Sequence, residues 1–273
     1  LLRDDLPLLS AQVCTLMERQ MDLNGKVAIV TGGASGIGEA TVALFHAQGA
    51  QVLLADKDAA RAEAAARQID PDLRTVVPFA ADVSRAADAE AAVAEAVSRF
   101  GRLDILVNNA GYGIRASVTG TSEADWDALM AVNLKGVFLF SRAAIPVMEA
   151  QGGGVIVNTA SNAALVAIAD RAAYVASKGA VAALTRAMAV DHAAQNIRVN
   201  AVAPGTTWSP YFDEILKTHE DPDGFVAGLN ARAPMDRTAR PSEIAEAILW
   251  LASDRSSYAT GSVMVVDGGM TAW

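Results

Sequence analysis

VAIVTGGASGIG, Val27 to Gly38, is the stretch on which the fold turns. Its apolar start reads as a strand buried on both faces, and the residues after Gly38 have helical periodicity. Between them lies a glycine-rich turn. Glycine permits the tight reversal and lets backbone approach a pyrophosphate, which is held at the positive end of the following helix. The next apolar run, QVLLAD, ends at Asp56, 20 residues beyond Gly36. A carboxylate at that strand end accepts the hydroxyls of an adenine ribose and repels a 2′-phosphate. The unit therefore predicts a dinucleotide site that favours NAD over NADP, although Lys57 stands beside Asp56.

Outward from this unit the same alternation continues. TVVPFAAD, LDILVNNAG, GVIVNTAS, IRVNAVAPG and SVMVVDGG are short Val/Ile/Leu-rich runs bounded by turn residues. Helical patterns such as Glu39 to Gln48, Asp58 to Ile69 and Ala86 to Phe100 separate them. Repeated strand–helix alternation predicts an α/β, Rossmann-type, doubly wound parallel sheet of about seven strands with helices on both faces. No linker or repeat divides residues 23–273, which read as one domain. Residues 205–240 are richer in Pro, Asp and aromatics, and are read as a substrate lid at a strand's carboxyl end. Residues 1–22 are read as an N-terminal extension. Within it LLSAQVCTLMERQ has the pattern of a short amphipathic helix, either docking on a neighbouring subunit or foreign to the natural chain, with Met17 and Met21 as alternative starts.

Composition narrows the function. Of 273 residues 52% are hydrophobic and 19% charged, which describes a well-packed globule. A net charge of −9 without a Lys/Arg cluster argues against a nucleic-acid partner. Cys14 is the only cysteine, so an intrachain disulfide or thiolate metal cluster is excluded. His46, His192 and His219 lack ligand spacing, and no metal is expected. No run approaches 18 apolar residues, and the start lacks the pattern of a signal peptide. A cytoplasmic location without membrane attachment is expected.

DRAAYVASK, Asp170 to Lys178, holds the chemistry. Spacings of three and four put Arg171, Tyr174 and Lys178 on one helix face. That row is either a solvated surface or a phenol whose pKa is pulled down by a neighbouring ammonium, able to trade protons near neutral pH. A second glycine cluster, QGGGV at Gln151 to Val155, precedes a strand rather than a helix and reads as a turn.

TGGASGIG, Asp82–Val83, NNAG at Asn108 to Gly111, Asn133, Ser161, YVASK and Pro204 to Thr206 stand in the order and spacing of a known family. Over Leu23 to Gly269 the chain resembles the classical short-chain dehydrogenases/reductases. The resemblance implies a nicotinamide cofactor and a homotetramer, or a homodimer, packed through the helices around Asn133 to Met148 and Ala172 to Ala194. It implies that Gly32, Ser35, Gly36, Ile37 and Gly38 hold the pyrophosphate. Asp56, Asp82 and Val83 go to the adenosine end, and Asn109, Ala110 and Gly111 lie beneath the cofactor. Pro204, Gly205 and Thr206 go against the nicotinamide. Tyr174 is then the general acid/base, and Lys178, together with the positive nicotinamide ring of the oxidised cofactor, favours its phenolate while also holding the nicotinamide ribose. Ser161 orients the substrate oxygen, and Asn133 holds a water that links Lys178 to solvent.

The lid is similar to that of the hydroxybutyrate and 2-keto-3-deoxy-sugar-acid dehydrogenase branch. In that branch one arginine stands three residues before the tyrosine and another in the lid, both holding a substrate carboxylate. Arg171 and Arg232 occupy these places, while Ile215 replaces a third. Trp208, Tyr211, Phe212 and Phe225 supply an apolar wall. A small hydroxy acid or sugar acid is the expected substrate. The alternatives are an NADPH-dependent 3-oxoacyl carrier-protein reductase, a dehydrogenase of neutral sugars or alcohols, and a cofactor-binding regulator without turnover. Asp56 and the acidic charge oppose the first, and the retained Tyr174 and Lys178 oppose the last.

Overall fold

In the computed structural model, which describes residues 22–273, the seven apolar runs become seven strands of one parallel sheet. They are β1 (Val27–Thr31), β2 (Gln51–Asp56), β3 (Val76–Ala80), β4 (Ile105–Asn108), β5 (Gly154–Thr159), β6 (Ile197–Pro204) and β7 (Val263–Val266). Their order is β3-β2-β1-β4-β5-β6-β7. The helices are α1 (Gly36–Ala47), α2 (Ala59–Ile69), α3 (Ala86–Phe100), α4 (Glu123–Met130), α5 (Gly136–Ala150), α6 (Ala172–His192), α7 (Pro210–Leu216), α8 (Pro222–Asn230) and α9 (Pro241–Ala252). The expected amphipathic helix of the extension and Cys14 lie outside the described residues.

Alternation along β1 shows how both faces are covered. Ala28 and Val30 pack with Val42 and Phe45 of α1 and with Ile244 and Ile248 of α9. Val27 and Ile29 belong to the opposite core, with Ala92 of α3, Phe140 and Met148 of α5 and Met188 of α6. All five residues of β1 are buried, which is why its sequence is continuously apolar rather than alternating. Local chemistry sets the helix ends. The Asp58 carboxylate accepts from the Arg61 N–H at the start of α2, and Gly101 closes α3 in the left-handed region (φ 82°).

Glu123–Ala150 forms one helical run, α4 and α5 joined by a π-helical turn at Ala131–Lys135. By length and composition it is apolar enough to cross a membrane. Its face of Leu139, Phe140, Ala144 and Met148 is instead buried against the sheet, as a core helix. The sheet order reverses between β1 and β4, so a crevice opens where their carboxyl ends diverge.

Candidate active site

The glycine turn after β1 leads into that crevice. Gly32 and Gly36 have φ of 63° and 56°, the left-handed region where a side chain is strained. A Cβ on Gly38 would run into the Gly32 carbonyl oxygen and lie 2.7 Å from Asn109 Nδ2. Helix α1 can thus begin pressed against the turn only with glycine there. Ser35 is the N-cap of α1 and its hydroxyl makes no cap bond, and Ile37 packs on the core beneath. The N–H groups of this first turn are the orphan donors an anion requires.

The NNAG segment fixes the turn from the other side. Asn109 Nδ2 donates to the carbonyls of Thr31 (3.1 Å) and Gly32 (3.3 Å). The backbone N–H groups of Asn109 and Ala110 donate to Thr31 Oγ1. Asp56 stands at the end of β2 and accepts from the Ala34 N–H (3.3 Å) and the Asp58 N–H (3.1 Å). Its carboxylate therefore lies against the turn. Asp82 accepts from the Ser84 hydroxyl and N–H, and these bonds hold its pKa below the usual carboxylate value. Val83 is buried against Gly136. At the end of β6 a Cβ on Gly205 would come within 2.7 Å of the Asp267 backbone, so only glycine lets Pro204 and Thr206 turn here. These residues fit a nicotinamide dinucleotide: a glycine cradle, a helix N-terminus and a carboxylate at the ribose end.

The second cluster surrounds Lys178. It is buried (4% exposed) and donates from Nζ to the Thr159 carbonyl at 2.7 Å. Burial pulls its pKa down to about 8. Asn133 sits in the π turn, and such turns widen the helix at functional positions. Its Nδ2 donates to the Tyr112 carbonyl and to Ser177 Oγ, and its Oδ1 accepts from the Tyr112 N–H. A methyl group on Gly111 would lie 3.2 Å from Asn133 Oδ1 and 3.4 Å from Lys178 Nζ, so the two side chains meet beneath that glycine. Ser161 is buried on the loop after β5 and accepts from the Ala163 N–H. Asn108, Asn158 and Thr185 form a buried hydrogen-bonded chain that ties β4 and β5 to α6 just below.

Two expectations need correction. Lys178 alone does not pull the Tyr174 phenol down: its Nζ lies 5.8 Å from the ring centroid and is turned to Thr159. Burial pushes the phenol pKa up, and the Ser161 hydroxyl and the Arg171 charge only partly oppose this. Desolvation outweighs the neighbouring charge. Arg171 is also not part of the helical row. It is the N-cap residue, at φ −138° and ψ 31°, and α6 begins at Ala172. A parallel bridge to Ala116 holds it there, and the Ala172 N–H donates to the Ala116 carbonyl.

Arg171 nevertheless stays beside Tyr174. A Cβ on Gly113 would lie 3.3 Å from Arg171 Nη1 and 3.6 Å from Tyr174 Cδ2. Residues 205–240 contain α7 and α8, in which Trp208 and Phe212, then Phe212 and Phe225, approach at 5.8 and 6.2 Å between ring centroids. Trp208 Nε1 donates to Asp213, and Ile215 is half-buried in α7. Arg232 follows α8 and lines, with Gly205, Thr206, Asp267 and Met270, a cavity of about 230 Å3. A cavity of about 280 Å3 opens at the far end of the sheet among Lys26, Arg102 and Asp104, away from Tyr174.

Sequence reasoning missed Thr31 and Thr159. Both stand at strand ends that run into the crevice, which is the signal that points to them.

With the geometry in hand, the relatives can be read. A family model described as enoyl-(acyl carrier protein) reductase matches residues 32–271. A 2-(S)-hydroxypropyl-CoM dehydrogenase of Xanthobacter autotrophicus is 42% identical over 250 residues, covering 92% of this chain and 98% of its own. A 3-oxoacyl-[acyl-carrier-protein] reductase of Thermotoga maritima is 39% identical, over 92% of this chain and 99% of its own. The crystal structure of a short-chain dehydrogenase/reductase from Burkholderia xenovorans superposes with a TM-score of 0.88 at 37% identity, over 92% of this chain and 98% of its own. This chain belongs to the classical short-chain dehydrogenase/reductase family. It is an oxidoreductase of alcohols and ketones that works with a nicotinamide nucleotide.

Proposed function

We propose that the enzyme interconverts a secondary alcohol and a ketone with NAD, on a small hydroxy acid or sugar acid. The observation that carries the reading is Arg171 beside the Tyr174 ring, with no carboxylate partner among the described residues. A guanidinium holds a carboxylate through two parallel hydrogen bonds, which fixes orientation as well as charge. Arg232, from the segment read as a lid, serves as its helper, and Trp208 closes the apolar side. A nicotinamide nucleotide held by the Gly32 to Gly38 cradle and Asp56 would supply or accept the hydride. Tyr174 gives its phenolic proton to the substrate oxygen in reduction and takes it back in oxidation. Ser161 donates a hydrogen bond to the same oxygen and keeps it within reach. Lys178, held by Thr159, would bind the nicotinamide ribose, and Asn133 orders the Tyr112 backbone near it. A cytoplasmic location is part of the reading, from the single cysteine. So is a homotetramer, supported by exposed Phe138 and Val190 on the two helices expected between subunits, and tested by solution mass.

The similarity to a 3-oxoacyl-[acyl-carrier-protein] reductase raises a second reading, with NADPH as donor. Asp56 stands against it. We expect NAD to exceed NADP at least about tenfold in kcat/KM, since a 2′-phosphate would meet this carboxylate at close range. Asp56→Ala should narrow the gap, and equal use of both cofactors by the parent would sink the assignment. The substrate class is tested by Arg171→Met. It should weaken kcat/KM for a hydroxy acid by roughly 2–4 kcal/mol, the scale of a desolvated charge pair, and barely alter it for a neutral alcohol. Equal losses on both, or a best substrate without an anionic group, would reject the acid reading.

A further inference from the structure

We propose that Asn162 is a positioning residue: fixed by the Met270 sulfur, its amide oxygen holds the Ser161 hydroxyl and competes with Tyr174 and the substrate for its one proton. The proposal rests on the roles given above to Ser161 and Tyr174.

Asn162 opens the short 3-10 turn Asn162–Ala164 after β5 and is buried, 3% exposed. Its two amide atoms reach opposite ways. Nδ2 donates to Met270 Sδ at 2.9 Å, and Oδ1 accepts from the Ser161 hydroxyl at 3.2 Å. A thioether accepts hydrogen bonds and donates none, so the amide turns its nitrogen to Met270 and leaves its oxygen for Ser161. The turn that carries Met270 is itself pinned. The Asp267 carboxylate accepts from the Gly269 and Thr271 N–H groups, and the Gly268 carbonyl accepts from the Met235 N–H. A Cβ on Gly269 would lie 3.1 Å from Pro234, so the turn rests directly on the segment read as a lid.

Ser161 is thereby committed on two sides. Its oxygen accepts from the Ala163 N–H at 3.1 Å, and its proton goes to Asn162. A serine hydroxyl has one proton to give. Donating it to a substrate oxygen, or to Tyr174 as phenolate, means taking it from Asn162. The bond of 3.2 Å exceeds the usual O–H···O length of about 2.7–2.8 Å, so it holds the hydroxyl in place and still yields to a stronger acceptor. Asn162 thus tempers the help that Ser161 gives the phenolate, and burial of the phenol meets less opposition than a free serine would offer. The charges that face the phenol are Arg171 at the N-cap of its helix and Lys178 one turn on, while the loop after β4 meets the ring with Gly113.

The test is a 19F NMR titration of the full chain carrying 3-fluorotyrosine, whose ring fluorine lowers the phenol pKa into a workable range. The Tyr174 signal is the one missing from Tyr174→Phe. Ser161→Ala should raise its midpoint, because a donor to the phenolate is lost. Asn162→Leu keeps the shape, removes the acceptor and frees the serine proton, so the midpoint should fall by about one pH unit. Met270→Leu conserves volume and lets the amide turn its nitrogen to Ser161, so it should move the midpoint the same way. This second variant decides the matter if Asn162→Leu does not fold. In a Ser161→Ala background neither change should have any further effect. If Ser161→Ala raises the midpoint but Asn162→Leu and Met270→Leu do not lower it, the role of Asn162 falls and that of Ser161 stands. A fall that persists in the Ser161→Ala background also overturns the proposal, since Asn162 would then act by another route. If Ser161→Ala leaves the midpoint unchanged, the reading of Ser161 falls and takes this proposal with it.

Discussion

Tyr174→Phe is expected to reduce turnover to below about 1% of the parent, the scale of losing a general acid/base, with NADH affinity unchanged. In the proposed reaction the phenol acts on the substrate oxygen, and the cradle of Gly32 to Gly38 that fits the cofactor is separate from it. Titration of the phenol gives the change a direction. Burial holds its pKa above the ordinary tyrosine value. The protein's own groups thus keep Tyr174 protonated through neutral pH, which is the form that donates in ketone reduction. The reduction rate should stay level across the neutral range, whereas alcohol oxidation, which needs the phenolate, should rise with pH. In Tyr174→Phe that pH dependence should vanish together with the rate. Residual activity well above the stated level, with the pH profile intact, would mean that another group carries the proton.

How much of this was legible depends on whether a feature is local. β1, β2 and the turn between β1 and α1 follow from residues that are neighbours in sequence. Strands buried on both faces read as unbroken apolar runs, and Gly38 is required because backbone presses on backbone. The contents of the crevice were legible as types and places, since YVASK and NNAG name the side chains. Their electrostatics were not. Whether an ammonium four residues away lowers a phenol pKa depends on what else removes water from both, and here desolvation wins. α6 begins at Ala172, as its expected range Ala172 to Ala194 has it, and only the row that added Arg171 to this helix fails, for a related reason. The spacing of Arg171, Tyr174 and Lys178 fits a helix, but the bridge from Ala116, 55 residues earlier, holds Arg171 out of it. The π turn that carries Asn133 is likewise without a local signature. The helix expected in the N-terminal extension lies outside the described residues.

Lys178→Met is expected to abolish activity and, at neutral pH, to make the protein relatively more stable than loss of a buried hydrogen bond would suggest. The reason lies in the folded-state pKa of Lys178, about 8 against an ordinary 10.5, with burial as the cause. Below pH 8 the ammonium is charged in both folded and unfolded chains, and the folded state bears the full cost of burying it. Between about 8 and 10.5 the folded chain has released the proton while the unfolded chain still binds it. Stability therefore rises with pH through this window, because the unfolded state holds more protons. Above 10.5 the cost is gone. At 1.36 kcal/mol per pKa unit the whole change is about 3 kcal/mol. Methionine has a similar length and no charge, so its stability lacks this rise. It does leave the Thr159 carbonyl without its donor, a loss of about 1–3 kcal/mol that does not vary with pH. The pH-independent loss cancels when the parent–variant difference at pH 7 is compared with that at pH 10.5–11. Urea unfolding of both proteins at equal concentration should show the parent gaining about 3 kcal/mol on the variant between these points. A difference constant with pH would show that Lys178 is not carried as a strained ammonium. Retained turnover in the variant would separate Lys178 from the reaction altogether.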